Sequence, residues 1–220
     1  EPTAKSPSLI SISISLTNIT IGSSISISGT ISPAHASVTL TLSFSKPDGT
    51  TLTRTVTTVS NGSYSYTFTP DKSGLWNVKA SWDGDAEHEG AASSSVSFTV
   101  SKAHSTISCR VSSSSIVIKN SVTVSGSITP AISGKKVILT YQKPDGSSLV
   151  RNVTTGFDGS YSDSYNPTIA GSWSARAGWE GDSTFEGASS SWISFTVFKI
   201  PSTISCQVSS SNITIGGSIR

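Results

Sequence analysis

The chain has 220 residues, of which 13% are charged, and its formal net charge is +2. Its lysines and arginines are scattered, so the sequence lacks the basic stripe that nucleic-acid binding requires. No stretch approaches the roughly 18 apolar residues of a membrane-spanning helix. The opening Glu1-Pro2-Thr3 does not resemble a signal peptide, so we expect a secreted protein of this sequence to be a processed or excised form. We expect neither a nucleic-acid partner nor direct insertion into a membrane.

Short runs of alternating polarity begin after a polar lead-in at residues 1–7. Apolar residues alternate with serine and threonine from Ile10 to Leu16, and the pattern continues to Ile21. Strict alternation of this length predicts a half-buried strand. Further alternating runs follow between turn signals, and no segment has the 3.6-residue period of a helix. These runs cover residues 25–31, 38–44, 52–56, 64–68, 76–82 and 96–100. Seven short strands with such turns predict an all-β fold, a two-sheet antiparallel sandwich.

The whole pattern recurs further along the chain. Residues 76–100 superpose on residues 173–197 without a gap, a shift of 173 − 76 = 97. Residues 18–21 recur in the same register at 115–118 and again at 212–215. A long fixed period indicates one domain copied in tandem. We therefore predict a lead-in at 1–7, complete domains at 8–103 and 104–200, and the first strands of an incomplete third copy at 201–220.

A short motif follows the sixth strand of each copy. It reads Trp82-x-Gly84-Asp85-x-x-His88 in copy one and Trp179-x-Gly181-Asp182-x-x-Phe185 in copy two. The motif resembles the aromatic-x-Gly-Asp-x-x-aromatic signature of bacterial Ig-like repeat domains, from which His88 departs. The similarity covers both copies and the partial third, and it is to the tandem modules of prokaryotic, particularly archaeal, surface proteins. The resemblance implies Ig-like sandwiches, an extracellular structural or adhesive role at the cell surface, and no catalytic residues.

The tryptophans fall into two groups. Trp76, Trp82, Trp173 and Trp179 lie on strand faces that small apolar residues share, so we predict that they are core residues rather than sugar-stacking platforms. Trp192 replaces Ser95 of copy one and lies on the face opposite to its apolar neighbours, and Phe198 replaces Ser101. These two aromatics indicate a contact site, packing at the junction with the third copy, or incidental surface.

Acidic residues cluster after the sixth strand of each copy. They are Asp83, Asp85 and Glu89 in copy one and Glu180, Asp182 and Glu186 in copy two. Such oxygens could hold Ca²⁺, which needs six or more oxygen ligands, although the loop lacks EF-hand spacing. The alternative is an aspartate that accepts hydrogen bonds from the backbone of its own turn. We otherwise expect no metal and no cofactor.

Other single residues argue against a catalytic centre. None of His35, His88 and His104 has a histidine as its counterpart in the next copy. Cys109 and Cys206 are 206 − 109 = 97 residues apart at one equivalent position, so they cannot pair within an extended chain. Each is expected in apolar core, with an intermolecular bond as the alternative. No motif supports a nucleophile, so we expect no enzyme.

Two features concern the polar surface and the domain ends. Asp163 stands on the predicted inward face, where copy one has Tyr66, and we expect it near a sandwich end where water reaches the carboxylate. The Asn-X-Ser/Thr pattern occurs four times, which makes these asparagines candidates for glycosylation. They are Asn18, Asn61, Asn152 and Asn212.

The partial third copy carries apolar residues whose sandwich partners are absent from the sequence. They include Ile204, Cys206, Val208, Ile213 and Ile215. Such strands would expose apolar surface and unpaired backbone groups. Either the natural chain continues, or a neighbouring molecule receives these strands by strand exchange. We expect self-association or chain continuation in either case.

The function that this sequence favours is mechanical. We predict a structural component of an extracellular surface rod, filament or surface layer. The alternative is an adhesin whose loops or Trp192 face bind a glycan or a protein.

Overall fold

The structure is a computed structural model that describes residues 4–209, 211–212 and 214–216. Strands, turns and loops account for all of these residues, so no helix among them is long and apolar enough to cross a bilayer. The chain divides into two compact units, Glu1–Thr106 with Glu180–Ala188, and Ile107–Trp179 with Ser189–Arg220. The domain boundaries that the repeat gives stay a prediction.

Domain 1 is a sandwich of two sheets, as predicted. Its strands are β1 (Leu9–Ile10), β2 (Ser13–Ile14), β3 (Asn18–Thr20), β4 (Ile25–Ser32), β5 (Thr39–Ser45), β6 (Thr51–Thr57), β7 (Ser63–Phe68), β8 (Gly74–Gly84), β9 (Glu89–Ala92) and β10 (Val96–Ser101). The smaller sheet has the order β1-β4-β2, with β7 also paired to β4. The larger sheet has the order β3-β10-β8-β5-β6, with β9 paired to β8. Strands β3 and β10 pair in parallel.

Domain 2 repeats this arrangement strand for strand. Its strands are β11 (Thr106–Ile107), β12 (Arg110–Val111), β13 (Ser115–Val117), β14 (Val122–Thr129), β15 (Lys136–Gln142), β16 (Ser148–Thr154), β17 (Ser160–Tyr165), β18 (Gly171–Gly181), β19 (Glu186–Ser189) and β20 (Ile193–Phe198). The smaller sheet has the order β11-β14-β12, with β17 on β14, and the larger has the order β13-β20-β18-β15-β16, with β19 on β18.

The first predicted strand of domain 1 is divided between the two sheets. Strands β1 and β2 pair with β4, and the chain then crosses to the larger sheet, where β3 pairs with β10. The crossing lies at residues 15–17, where the Ser15 N–H still bonds to the Ser26 carbonyl while the Thr17 carbonyl accepts from Thr99. Leu16, which the alternation placed on the buried face of the predicted strand, is 54% exposed at this crossing.

The glycine-rich acidic segment predicted as a loop contains a further strand. In domain 1, β9 pairs with the end of β8, and Gly84 lies opposite Glu89. Gly84 has a φ of +86°, which favours glycine, and this turn lets the chain reverse. The prediction missed the strand because Glu-Gly-Ala-Ala has neither alternation nor β-branched residues.

The predicted core is confirmed at its largest side chains. Trp76 and Trp173 are fully buried, and each indole Nε1–H donates to a backbone carbonyl four residues earlier, that of Lys72 at 3.0 Å or of Ile169 at 2.9 Å. Trp179 is also buried, whereas Trp82 is half-buried at the edge of its core. The two copies therefore bury the same indole with the same hydrogen bond.

A glycine within β4 makes room for a tyrosine from β7. Gly29 lies directly opposite Tyr64, whose hydroxyl donates to the Ser11 carbonyl at 2.7 Å. A Cβ atom at Gly29 would lie 2.6 Å from the Tyr64 hydroxyl oxygen and would collide with the Ser11 carbonyl oxygen. Gly126, Tyr161 and Ser108 repeat this arrangement in domain 2.

The segment after β20 does not show the predicted first strands of a third copy. None of its described residues, 201–209, 211–212 and 214–216, belongs to a strand. Ile204, Cys206, Val208 and Ile215 are exposed there, and Ile213 lies outside the described residues. The corresponding strands of copies one and two pair with later strands of their own copy. Strand formation by this segment therefore stays a prediction.

Candidate functional site

The aspartate of the signature motif caps its own turn. One carboxylate oxygen of Asp85 accepts from the backbone N–H groups of Glu87 at 2.8 Å and His88 at 2.7 Å. These bonds, above all that from Glu87, lower the pKa of Asp85. Asp182 accepts in the same way from Thr184 and Phe185. This is the turn geometry that the sequence offered as the alternative to calcium.

The other acidic candidates point to no shared ion. Asp83, Glu89, Glu180 and Glu186 are exposed. Within the described ranges, no three or more histidine, cysteine, aspartate or glutamate residues are grouped as metal ligands. Calcium binding by this loop stays an untested prediction.

Two of the three histidines pack against each other and a tryptophan. The rings of His35 and His88 are 4.1 Å apart between centroids, and Trp82 is 6.2 Å from each. His88 also places Nδ1 3.0 Å from the Asp85 carboxylate. His88 thus takes the packing position of the second aromatic in the signature, which Phe185 fills in copy two. The third histidine, His104, is largely exposed and not part of this cluster.

The expectation that water solvates Asp163 is wrong. The Asp163 side chain is 8% exposed and accepts from the Tyr141 hydroxyl at 2.8 Å and from Arg151 Nε at 2.6 Å and Nη2 at 2.8 Å. Burial and the Asp163 carboxylate raise the pKa of Tyr141, and the same carboxylate raises that of Arg151. The carboxylate is tolerated inside domain 2 because a guanidinium and a phenol satisfy it. Copy one has Tyr66, Phe44 and Arg54 at these three positions.

The two cysteines are free and differ in exposure. Cys109 is half-buried, as expected for a residue that replaces Ile12, and burial raises the pKa of its thiol. Cys206 is exposed, in contrast to the expected core position.

All four sequon asparagines are accessible. Asn18, Asn61, Asn152 and Asn212 are exposed, and the Asn61 side-chain oxygen accepts from the Ser63 N–H at 3.0 Å. Glycosylation of these positions stays a prediction.

An exposed aromatic surface distinguishes domain 2 from domain 1. Trp192 is 44% exposed immediately before β20, and the Arg176 guanidinium carbon lies 4.9 Å from the centre of its ring. Phe198, at the end of the same strand, is 55% exposed. The sequence identified both aromatics as candidate contact residues. It did not reveal the arginine, because Arg176 lies on another strand.

Residues 12–101 match the family model of the bacterial Ig-like domain (group 3). No curated protein matches the chain in sequence. Among solved structures, the chain is similar to a tetra-tandem repeat in the extending region of a large adhesion protein. That likeness has a TM-score of 0.53 and 19% identity, and covers 86% of this chain and 49% of the other. The chain thus spans about half the length of that structure, and at this identity the likeness shows the fold alone.

Two further solved structures are more distant. One is the D0–D1 domain of intimin, with a TM-score of 0.32 and 15% identity, covering 85% of this chain and 97% of the other. The other is dimeric latent PorU from Porphyromonas gingivalis, with a TM-score of 0.39 and 11% identity, covering 86% and 20%. Scores this low carry no argument about function.

Proposed function

Since this chain carries a bacterial Ig-like domain and a second copy of it, we propose that it is a structural, spacer-forming part of an extracellular protein on a prokaryotic cell surface. Ig-like families are structural and adhesive modules, so we expect no catalytic activity. The observation that carries the proposal is the repetition of one complete sandwich, with the same strand order and the same buried indole.

Repetition of a packed domain is what a spacer needs. Each copy closes its own core between its own two sheets, so a series of copies adds length without adding new chemistry. Strand β10 ends at Ser101 and β11 begins at Thr106. The linker between the two copies is therefore short, at residues 102–105. These features support the finer proposal of a rod, a filament or a surface layer.

Assembly with further domains is part of the proposal. Apolar residues such as Ile204 and Ile215 are exposed after β20. Ile204 corresponds to the buried Ile10 and Ile107 of the earlier copies, and Ile215 corresponds to the half-buried Ile21 and Ile118. A third copy completed by continuation of the chain, or strands received by a neighbouring molecule, would cover them. Both routes make other copies of this domain the expected partners.

The adhesin remains the second candidate, and the Trp192–Arg176 contact is the observation that favours it. The large adhesion protein noted above uses its repeats in an extending region, as its description states. That use agrees with the spacer proposal for this chain, whereas an adhesin additionally needs a binding face.

Labelling of intact cells tests the proposed location. An antibody raised against the 220-residue chain should label the surface of unpermeabilised cells that produce it, and external protease should remove the label. Label that is reached only after permeabilisation would contradict a surface spacer.

A further inference from the structure

Trp192 belongs to a strip of residues that crosses the outer face of the larger sheet in domain 2. In the antiparallel pairing of β18 with β20, Ala175 lies opposite Ile193. Arg176 follows Ala175 and Trp192 precedes Ile193, so these two residues lie beside each other. Arg176 lies opposite Thr140, and Thr140 lies opposite Val150. We call Trp192, Arg176, Thr140 and Val150 the Trp192 strip. Alternate residues of a strand face the same side, and the buried neighbours of these residues face the core.

The same strip in domain 1 carries three small hydroxylated side chains and one lysine. The equivalent residues are Ser95, Lys79, Ser43 and Thr53, with Ser43 opposite both Lys79 and Thr53. Copy two has thus replaced a serine by tryptophan, a threonine by valine and a lysine by arginine on a surface that faces water. Val150 is 57% exposed, so these changes do not serve the core. Copy one shows that the fold does not require them.

The surroundings of the strip enlarge a flat apolar surface. Two residues along from Thr140 on the same face, Ile138 lies opposite Gly178 on one side and Asn152 on the other. Copy one has Thr41 in place of Ile138, Ser81 in place of Gly178 and Thr55 in place of Asn152. A Cβ atom at Gly178 would meet no atom closer than 3.6 Å, so glycine is not required by packing there. Its presence leaves the sheet surface open beside Arg176.

The strands that carry the strip place few carboxylates near Arg176. Strands β15, β16 and β20 contain no aspartate or glutamate, whereas Arg176 and Lys136 lie on outward positions. On β18 the carboxylate is that of Glu180, four residues from Arg176 and therefore about 13 Å along the strand. Strand β19, which pairs with β18, begins with the carboxylate of Glu186. A guanidinium without a carboxylate partner can bind an anionic carboxylate through two parallel hydrogen bonds.

From this combination we propose that the Trp192 strip binds an acidic saccharide. A pyranose ring packs its C–H face against the exposed part of the Trp192 indole, and Arg176 binds the carboxylate of the same or the next sugar. The cation–π contact holds the two side chains together before the ligand arrives, which lowers the ordering cost of binding. The exposed Gln142 supplies a neutral hydrogen-bonding group at the margin of the strip. The inference rests on this face and not on the spacer function, so either can fail without the other.

Calorimetric titration of the 220-residue chain with oligogalacturonate, oligomannuronate and a neutral cello-oligosaccharide of equal length tests the proposal. We expect binding of at least one acidic oligosaccharide, no comparable binding of the neutral one, and weaker binding at higher salt. Trp192→Ser and Arg176→Lys, which install the residues of copy one, should each weaken that binding at least tenfold. Both variants should remain folded, because copy one folds with those residues.

Phe157→Ser provides the matched control. Phe157 is 98% exposed at the turn between β16 and β17 and has Ser60 as its counterpart, so this variant removes another exposed aromatic of domain 2 outside the strip. It should bind like the parent chain. The proposal is overturned if neither acidic oligosaccharide binds, if the neutral one binds equally well, or if Trp192→Ser binds like the parent. Self-association lost in Trp192→Ser, without saccharide binding, would instead make the strip an interface between copies and would also overturn it.

Discussion

Asp163 shows how one residue changes the chemistry of an otherwise repeated core. It belongs to β17 in the smaller sheet, whereas its partners Tyr141 and Arg151 belong to the larger sheet. Alternation within a strand predicted its inward direction correctly. The ion pair was not predictable, because it joins two sheets and because the equivalent Arg54 of copy one is exposed and donates to its neighbour's carbonyl.

Removal of this carboxylate should destabilise domain 2. Asp163→Ala leaves the Tyr141 hydroxyl and the Arg151 guanidinium without their acceptor. We expect a loss of about 2–3 kcal/mol, less than for a fully buried pair because Arg151 is partly exposed. Urea unfolding followed by tryptophan fluorescence measures it.

The double variant Asp163→Tyr with Tyr141→Phe is the control, since it installs the residues of copy one, Tyr66 and Phe44. It should recover most of the stability lost in Asp163→Ala. Equal losses in both variants would contradict the role assigned to the ion pair.

Tyr64 makes domain 1 sensitive to alkaline pH. Burial raises the pKa of Tyr64 from 10.0 to about 12. The neutral phenol is therefore favoured in the folded state. The stability that it contributes to the folded domain is fully present below pH 10 and is lost as pH rises through 12. A shift of this size corresponds to up to about 3 kcal/mol.

At pH 8, Tyr64→Phe should lower the free energy of unfolding by about 1 kcal/mol, because the variant lacks the hydrogen bond to the Ser11 carbonyl. It should also lose less stability than the parent between pH 10 and pH 12. Unfolding midpoints measured across this range check both effects, and parallel pH curves would contradict the assignment.

At the scale of the element, the capping aspartate should hold the β18–β19 turn. Asp182→Ala removes the acceptor of the Thr184 and Phe185 N–H groups, which should cost about 1 kcal/mol and speed hydrogen exchange at those amides. Asp182→Asn retains an acceptor oxygen and should behave more like the parent. Calcium should not raise the melting temperature of either variant or of the parent. A calcium-dependent rise that Asp182→Ala abolishes would favour the ion site instead.

The space beside each interior glycine decides whether alanine can replace it. In Gly29→Ala the new methyl group collides with the Ser11 carbonyl oxygen, so the pairing of β1 and β2 with β4 must yield, at a cost of about 1–3 kcal/mol or more. Gly178→Ala meets only an ordinary contact at 3.6 Å and should be nearly neutral. Thermal unfolding of the two variants compares them, and similar effects would contradict this explanation.

The strands themselves were predictable, but the sheet to which each belongs was not always so. The apolar residues occupy even-numbered positions from Ile10 to Leu16 and odd-numbered positions at Ile19 and Ile21, so the alternation shifts by one residue at the crossing of residues 15–17. The prediction treated both runs as one strand, although this shift of the period coincides with the change of sheet. Strand β9 was not predicted for a different reason: its pairing with β8 buries few apolar side chains, so its sequence shows no apolar alternation.

At the scale of the molecule, the 97-residue repeat predicted two equivalent sandwiches, and Trp76 and Trp173 have equivalent surroundings. The Trp192 strip was only partly predictable. Comparison of the copies shows that Trp192 is an exposed exception, but the placement of Arg176 and Val150 beside it depends on strand register across three pairings.

Single-molecule pulling on the 220-residue chain tests the central claim, that two like sandwiches each carry load as a complete unit. A 97-residue copy extends to about 350 Å and replaces a folded length of about 40 Å. We therefore expect two unfolding events, each releasing about 300 Å at similar force. A single event releasing twice that length, or smooth extension without a force peak, would contradict two independent load-bearing domains.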